Sequence, residues 1–404
     1  MKQTYRIFWG VAATVGICLL TALGHAEPVD TAAHPITVNG AGEITLGEPL
    51  HHENLTLYPL ISSNASAGRY YTPLDKAMDK GKLRIKELAS ANVPTLSVEN
   101  TGKDEVFIMT GEIVTGAKQD RMSASDVILP PTAKAVALSV YCVEQGRWQQ
   151  RTHQFAAGRT AGTTMLRKTA AKRGEQGVIW SKVARKSRDA AVRSDTGTMQ
   201  AVYDNRQIKR RITVYEKALS ALGGRDDVVG FIAAVDGLVV SADLFANNGL
   251  MRALSGKLLK AMALDAVTSK SPSSVYPDIE AVRAFFTAGI NGARKPTENP
   301  GLGTSSLIEA ENDITGTELI HDGRIVHLSV FGPDREDHPR ILPGNGTPHH
   351  HEVEQRRAPS ASQDKTGSES NASTDTPRRG TEKSPNPQKK MKLGKKASSK
   401  RGMD

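Results

Sequence analysis

The alternation of apolar and polar side chains predicts strands in the first half of the chain and helices after it. Alternation with a period of two predicts strands over residues 55–61, 82–88, 95–99, 105–114, 121–129 and 135–143. Apolar residues then recur every three or four positions, which predicts helices over residues 177–192, 198–222, 248–267 and 278–288. We therefore expect a β-rich layer followed by a group of helices.

Two Asp-Gly pairs predict β-hairpins. Asp236-Gly237 and Asp322-Gly323 each separate two short apolar runs, which is typical of tight two-residue turns between antiparallel strands. Strands are predicted around and just before these turns, over residues 228–234, 238–241, 305–310, 314–321 and 324–331. The regular strand-helix alternation of a parallel sheet is absent, so the sequence predicts an α+β fold with a largely antiparallel sheet and several packed helices.

The first 26 residues have the pattern of a cleavable signal peptide. Lys2 and Arg6 precede an apolar run over residues 7–23, and Ala26 closes a short segment of small residues. The alternative, an uncleaved membrane anchor, would require a span of about 20 apolar residues. We expect a periplasmic or secreted protein, and after cleavage its one cysteine, Cys142, has no partner for an internal disulfide.

The remaining chain divides into three segments. Residues 27–50 are predicted as an N-terminal linker, residues 51–333 as the folded domain and residues 334–404 as a disordered basic tail. Of the net charge of +10, the tail carries +5 and the signal segment +2, which leaves +3 for the residues between them. The folded domain is thus not expected to bind nucleic acid, whereas the tail either stays solvated or contacts an anionic polymer or a membrane surface.

Two polar clusters follow predicted strands. The first is Lys118, Gln119, Asp120 and Arg121, and the second runs from Glu144 to Trp148. If the two strand ends lie close in one sheet, Arg121 and Arg147 are placed to hold an anionic group bidentately.

The clusters also contain candidate acids, bases and stacking groups. Asp120 and Glu144 are the candidate catalytic residues, as acid and base, or they orient the two arginines. Trp148 offers a flat face for a sugar, a base or a guanidinium group, and Gln176, at the head of the first long helix, would close over the same cluster. The candidate ligand-binding residues are Lys118, Gln119, Arg121, Arg147, Trp148 and Gln176. A purely structural network that ties the strand ends together is the open alternative.

Other chemistry has weaker support in the sequence. Residues 111–119 resemble a phosphate-binding loop, but Ala117 separates Gly116 from Lys118, so the motif fails. His321 and His327 bracket a hairpin without a third ligand, and residues 349–351 are histidines in the predicted tail, so no metal site is predicted. Asp243 is interpreted as a strand-end residue, and no cofactor is indicated.

Five motifs carry a family resemblance. They are GAKQDR at 116–121, CVEQGRW at 142–148, QGVIW at 176–180, DGLVVSADLF at 236–245 and HDGRIVHLSVF at 321–331. The chain resembles the family of the ADP-ribosylglycohydrolase and rhodanese-phosphatase superfamily-associated protein domain. This resemblance implies an uncharacterised domain whose name records association with proteins that process NAD and ADP-ribose, and association is not activity.

Three functions remain as hypotheses from the sequence. The leading one is an exported domain that binds a small polar or anionic ligand, or a partner, through the two polar clusters. The second is a hydrolase acting on a nucleotide- or ribose-phosphate-like compound, with Asp120 or Glu144 as its base. The third is an envelope scaffold that acts through its basic tail.

Overall fold

The computed structural model describes residues 34–88 and 94–334, and all of these belong to one compact unit. The strands in the described residues are β1 (Ile36–Val38), β2 (Gly42–Leu46), β3 (Leu50–His52), β4 (Leu55–Ile61), β5 (Thr72–Pro73), β6 (Leu83–Glu87), β7 (Thr95–Asn100), β8 (Val106–Ile108), β9 (Glu112–Gly116), β10 (Arg121–Ser123), β11 (Val127–Leu129), β12 (Val136–Cys142), β13 (Phe155–Ala161), β14 (Val228–Val235), β15 (Leu238–Phe245), β16 (Ala293–Thr297), β17 (Thr304–Glu309), β18 (Thr315–His321) and β19 (Arg324–Phe331). The helices are α1 (Leu74–Asp79), α2 (Thr164–Ala171), α3 (Gln176–Asp189), α4 (Met199–Asp204), α5 (Arg206–Ala218), α6 (Ala221–Gly224), α7 (Asn248–Val267) and α8 (Ile279–Asn291).

The largest sheet has ten strands, and its neighbours are antiparallel. Its order is β1-β2-β4-β14-β15-β19-β18-β17-β16, with β3 also paired to β4. Both predicted Asp-Gly turns lie in it, and all four of their residues have the positive φ that a tight hairpin turn requires. The predicted α+β fold with a largely antiparallel sheet is confirmed.

Two smaller sheets complete the β structure of the described residues. One has six strands in the order β13-β9-β10-β12-β7-β6, and the other has three in the order β11-β8-β5. Strand β5 runs parallel to β8, while the pairs of the six-stranded sheet are antiparallel. The polar clusters follow strands of the six-stranded sheet.

Helix α7 forms the centre of the core. It contacts β14 of the ten-stranded sheet and β13 of the six-stranded sheet. Leu254 and Leu258 are buried in one cluster with Phe231 of the first sheet and Ile113 of the second. A helix that is apolar on most sides is stable when neighbours cover most of it, and 14 of the 20 residues of α7 are buried. No helix of the described residues is long and apolar enough to cross a membrane.

One predicted strand, residues 105–114, is divided into β8 and β9. Gly111 has φ +91°, and Glu112 N donates to Met109 O, so the chain turns between the two strands. A Cβ on Gly111 would lie 2.6 Å from Arg167 Cγ, so the turn also allows a close approach of that side chain. Period-two alternation continues through such a turn and therefore does not reveal it.

The helix predicted over residues 198–222 is divided into α4, α5 and α6. Asn205 has an extended conformation, and its Oδ1 accepts hydrogen bonds from Gln207 N and Ile208 N. It is thus the N-cap of α5, because its side chain satisfies amide groups at the start of the new helix.

The chain is folded before residue 51. Strands β1, β2 and part of β3 lie within residues 27–50, the predicted linker, and β2 and β3 pair with β4. Ile44 and Leu46 are buried in the core of the ten-stranded sheet, which explains why β2 packs against it. The predicted signal peptide and nearly all of the predicted tail lie outside the described residues.

Candidate binding site at the strand ends

The two polar clusters lie side by side at the end of neighbouring strands. Strand β10 pairs with β9 on one side and with β12 on the other, and Arg121 stands between Val114 and Cys142 in the register. Lys118 follows β9 and Glu144 follows β12, so one strand separates the two ends. The predicted proximity of the strand ends is therefore present.

Arg147 is the centre of a buried ionic network. Its Nε donates to Glu144 Oε1 at 2.8 Å, and its Nη2 lies 2.5 Å from Glu144 Oε2 and 3.2 Å from Asp120 Oδ1. Its Nη1 donates to the carbonyl oxygens of Ala117 and Gln149. Each nitrogen of the Arg147 guanidinium group therefore donates to an acceptor within the protein.

The two candidate catalytic carboxylates are the acidic partners in this network. Burial raises the pKa of Asp120 despite hydrogen bonds from Thr198, Gly116 and Arg147. Burial would also raise the pKa of Glu144, but hydrogen bonds from Arg147 and from Asp120 N outweigh it, so the pKa of Glu144 is lowered. The pKa values of the two acids are thus shifted in opposite directions, although both side chains are buried.

The network also attaches the helices to the sheet. Thr198 Oγ1 donates to Asp120 Oδ2 at 2.7 Å and accepts from Gln200 N as the N-cap of α4. Met199 N donates to Val143 O, and Gly146 N donates to Thr196 O. Gln176, the first residue of α3, attaches that helix to β12 in the same way. Its side chain donates to Cys142 O and accepts from Cys142 N, both at 2.8 Å.

Arg121 differs from Arg147 because its guanidinium group is incompletely satisfied. Its side chain is 0 % exposed, and its Nη1 donates to Gln119 Oε1 at 3.2 Å. Its Nε and Nη2 have no hydrogen-bond partner in the described part of the chain, and Nη2 lies 3.7 Å from Glu87 Oε1. Glu87 Oε2 is likewise buried without a hydrogen-bond partner among those residues. Unsatisfied buried donors beside an unsatisfied acceptor are rare in folded proteins.

Lys118 and Trp148 form the exposed rim next to this arginine. Lys118 N lies 3.4 Å from Glu87 Oε1, so the backbone of Lys118 and Arg121 share one carboxylate. Lys118 Nζ stands 5.1 Å from the centroid of the Trp148 ring, within the range of a cation–π interaction. Trp148 is 50 % exposed, so part of its aromatic surface is open to solvent.

A second buried polar cluster connects the three-stranded sheet to the ten-stranded sheet. His327 Nδ1 lies 2.7 Å from Asp126 Oδ2, and His327 Nε2 lies 3.2 Å from Asp243 Oδ1. Arg167 contacts both oxygens of Asp243, at 3.1 and 2.5 Å, and Ser329 Oγ donates to Asp243 Oδ1. The interpretation of Asp243 as a strand-end residue is incomplete, because it lies inside β15 as the ion-pair partner of Arg167.

His327 is a charged structural residue in this cluster. Burial alone would lower the pKa of His327, but Asp126 and Asp243 outweigh it and raise the pKa to about 9. The pKa of Asp126 and that of Asp243 are lowered, because their charged neighbours outweigh burial. Ser329, His327 and Asp126 have the order of a nucleophile, base and orienting acid, but a protonated, fully buried imidazole cannot accept a proton from Ser329.

A third buried group lies around Lys257 of α7. Its Nζ contacts Glu112 and, at 2.8 Å, Asp75 Oδ2. Burial would lower the pKa of Lys257, but these two carboxylates outweigh it and the pKa is raised. Burial raises the pKa of Glu112 even with the lysine beside it.

Sequence reasoning missed the His327 and Lys257 clusters. The signal that would have found them is a polar residue at an inward position of an apolar segment, such as His327 and Ser329 two apart on β19. Across the described residues, no group of three or more His, Cys, Asp or Glu side chains is arranged to hold a metal ion. The three histidines at 349–351 lie outside those residues.

These features define an α+β protein whose strand ends are tied by a buried ionic network with one unsatisfied arginine at its edge. The family model for the ARG and Rhodanese-Phosphatase-superfamily-associated Protein domain matches residues 43–331, and the chain belongs to this family. The match begins within β2 and ends with β19, so it includes both polar clusters. No significant match was found among curated proteins or among solved structures.

Proposed function

We propose that this chain is an exported protein that binds a small polar or anionic ligand beside Arg121, with Lys118 and Trp148 at the rim of the site. The observation that supports the proposal most is the buried guanidinium group of Arg121, which has two N–H groups without partners. Leaving a buried polar group unsatisfied costs about 1–3 kcal/mol, and more for a charged one. A ligand oxygen at this position would remove that cost.

The neighbouring carboxylate narrows the chemistry of the ligand. Glu87 Oε2 needs a hydrogen-bond donor, whereas Arg121 Nε and Nη2 need acceptors. A ligand that carries an acidic or carbonyl oxygen next to an N–H or O–H group would satisfy all three atoms. An anionic compound that has acceptor atoms but no donor would leave Glu87 Oε2 without a hydrogen bond. It would also place the negative charge of the compound next to the negative charge of Glu87.

The rim favours a ligand with a flat or ring-shaped part. Trp148 presents an aromatic surface, and Lys118 Nζ lies over the same indole, so a ring stacked there would also meet a positive charge. Arg147 contributes indirectly, since its network fixes the backbone of Ala117 and Gln149 on either side of this rim.

Binding explains the site better than the hydrolase alternative does. That alternative requires Asp120 or Glu144 as a base, yet both carboxylates accept hydrogen bonds from Arg147 and from backbone amides. A carboxylate whose oxygens are occupied by such donors has no free position for a substrate proton. The scaffold alternative depends on the tail rather than on this site.

A ligand screen by thermal shift tests the proposal. The full chain is scanned against inorganic phosphate, inorganic sulfate, ADP-ribose, sugar phosphates and free amino acids. A compound present at a hundred times its dissociation constant should add about 2.7 kcal/mol of stability. We expect a stabilising compound that has adjacent acceptor and donor groups, and a smaller or absent shift for inorganic sulfate, which is included because it has acceptor atoms alone.

Two variants separate a binding role from a structural one. Arg121→Met replaces an incompletely satisfied buried charge by an apolar side chain of similar length but also leaves Glu87 without its nearby cation, so the free protein should remain folded with a moderate loss of stability. Its thermal shift with the same compound should vanish, and Trp148→Ala should reduce it. If Arg121→Met unfolds the free protein, or if it keeps the full ligand shift, Arg121 is a structural residue and the proposal is wrong.

A further inference from the structure

The body has a small net charge, but its charges are unevenly distributed along the sequence. Residues 164–225, which contain helices α2 to α6, hold 15 Lys and Arg but 5 Asp and Glu. Since residues 27–333 have a net charge of +3, the rest of the body is acidic by 7 charges. The helical segment therefore carries a net charge of +10, independently of the tail.

Helix α5 concentrates this charge on its outer face. Its inner face is buried through Ile208, Ile212 and Tyr215. Four of the five exposed basic side chains of α5 form what we call the basic stripe: Arg206, Lys209, Arg210 and Lys217. At a rise of 1.5 Å per residue, the stripe extends over about 16 Å of helix.

The basic side chains of the stripe have no acidic partner within the described residues. No ion pair or hydrogen bond joins any of their side chains to another group in residues 34–88 or 94–334. The contrast with α3 is clear, because Lys186 there pairs with Asp265 at 2.7 Å and Lys182 lies 3.8 Å from Asp334. Like charges placed three or four residues apart on a helix repel one another, so an unpaired stripe costs stability that an anionic surface would offset.

We propose that the basic stripe docks the folded domain on an anionic lipid bilayer. A straight row of cations on a convex helix fits a flat, phosphate-bearing surface, and each Lys or Arg near such a surface contributes to binding. Val214, 50 % exposed on the same helix, adds an apolar contact at the boundary between headgroups and acyl chains. No aromatic side chain is exposed on α5, so the stacking that single-stranded nucleic acids use is missing there.

Vesicle binding of the full chain tests this proposal. Vesicles of phosphatidylcholine and phosphatidylglycerol in equal amounts are compared with vesicles of phosphatidylcholine alone, at low and at physiological salt. We expect binding to the anionic vesicles that weakens as salt rises, and no binding to the neutral ones. The variant Arg206→Gln, Arg210→Gln, Lys217→Gln should bind about a hundredfold more weakly, since each basic side chain near the bilayer contributes roughly a fivefold factor.

A matched triple variant controls for the loss of overall charge. Lys82→Gln, Lys86→Gln, Lys103→Gln removes three exposed cations far from α5 in sequence and should bind like the parent. Circular dichroism checks that both variants are folded, which is expected because glutamine is a good helix former. Equal binding of the stripe variant and the parent would overturn the proposal. So would a stripe-dependent preference for duplex DNA over the anionic vesicles, because the partner would then be a nucleic acid.

Discussion

Arg121 and Arg147 lie at neighbouring strand ends but have different acidic partners, Glu87 for Arg121 and both Asp120 and Glu144 for Arg147. Arg147 donates to two carboxylates and to carbonyl oxygens, whereas Arg121 has two donors without partners. Both are buried. Both residues are arginines in polar clusters that follow predicted strands. The sequence therefore predicts both as ligand-binding residues and cannot distinguish their roles.

The Arg147 network gives a prediction for stability. Arg147→Ala leaves Glu144 and Asp120 buried without their cation, so the free energy of unfolding should fall by about 3–5 kcal/mol. Urea denaturation followed by circular dichroism measures it. Lys118→Ala is the control, because a partly exposed side chain away from this network usually changes stability by less than about 0.5 kcal/mol. Equal stability of the two variants would contradict the structural role of Arg147.

The His327 cluster gives a prediction for pH. The pKa of His327 is raised to about 9 in the folded protein, above its ordinary value of 6.5. The stabilisation is thus fully present below pH 6.5 and is lost as the pH rises through about 9. The loss should reach about 3 kcal/mol.

Nuclear magnetic resonance measures this ionisation directly. The ring proton signals of His327 should titrate with a midpoint near pH 9, and the free energy of unfolding should decline over the same interval. A midpoint for His327 at or below its ordinary value of 6.5 would show that the two aspartates do not hold its proton.

At the scale of elements, the sequence predicts helices and strands correctly where the apolar periodicity of the segment itself determines the structure. Strand β4 and helix α7 match the predicted residues 55–61 and 248–267, because their apolar periodicity is unbroken and their ends are clear. The two Asp-Gly hairpins were also predicted correctly, because the turn residues themselves determine the turn. Strand β13 was missed, since its sequence of small and polar residues has no apolar alternation and its order comes from pairing with β9.

The His327 cluster shows the corresponding limit for sites. His327 and Asp126 are 201 residues apart in the chain, and their contact depends on how the three-stranded sheet meets the ten-stranded one. The strand-end site was predictable because both of its clusters belong to adjacent strands. A contact created by packing between sheets leaves no such spacing in the sequence.

The N-cap of α5 gives a prediction at this scale. Asn205→Ala removes the acceptor for two amide groups at the start of α5 and should cost about 1 kcal/mol, whereas Asn205→Gly should cost a few tenths. Thermal unfolding of both variants measures the difference. If alanine and glycine have the same effect, the side chain of Asn205 does not cap the helix.

At the scale of the whole molecule, the fold is compatible with loss of the first 26 residues. Strand β1 begins at Ile36 and the family match at residue 43, so cleavage after Ala26 would leave every described element intact. The proposed export can therefore be tested without damage to the domain.

The predicted cleavage gives the corresponding experiment. When the full chain is expressed in a bacterial host, the intact mass of the exported protein should equal that of residues 27–404. Ala26→Gln places a large side chain at the cleavage position and should leave the chain uncleaved in the membrane fraction. Recovery of both proteins at full length from the cytosol would contradict export.

Strand β16 at one end of the ten-stranded sheet has a consequence for behaviour at high concentration. It is largely exposed, and it contains Arg294, Lys295 and Pro296. A proline has no N–H group to offer a neighbouring strand, and Arg294 and Lys295, which pair with Glu318 and Glu309, keep charged side chains at this edge. The sheet should therefore end at β16 rather than grow from one molecule into the next, so this border protects the protein from fibril formation.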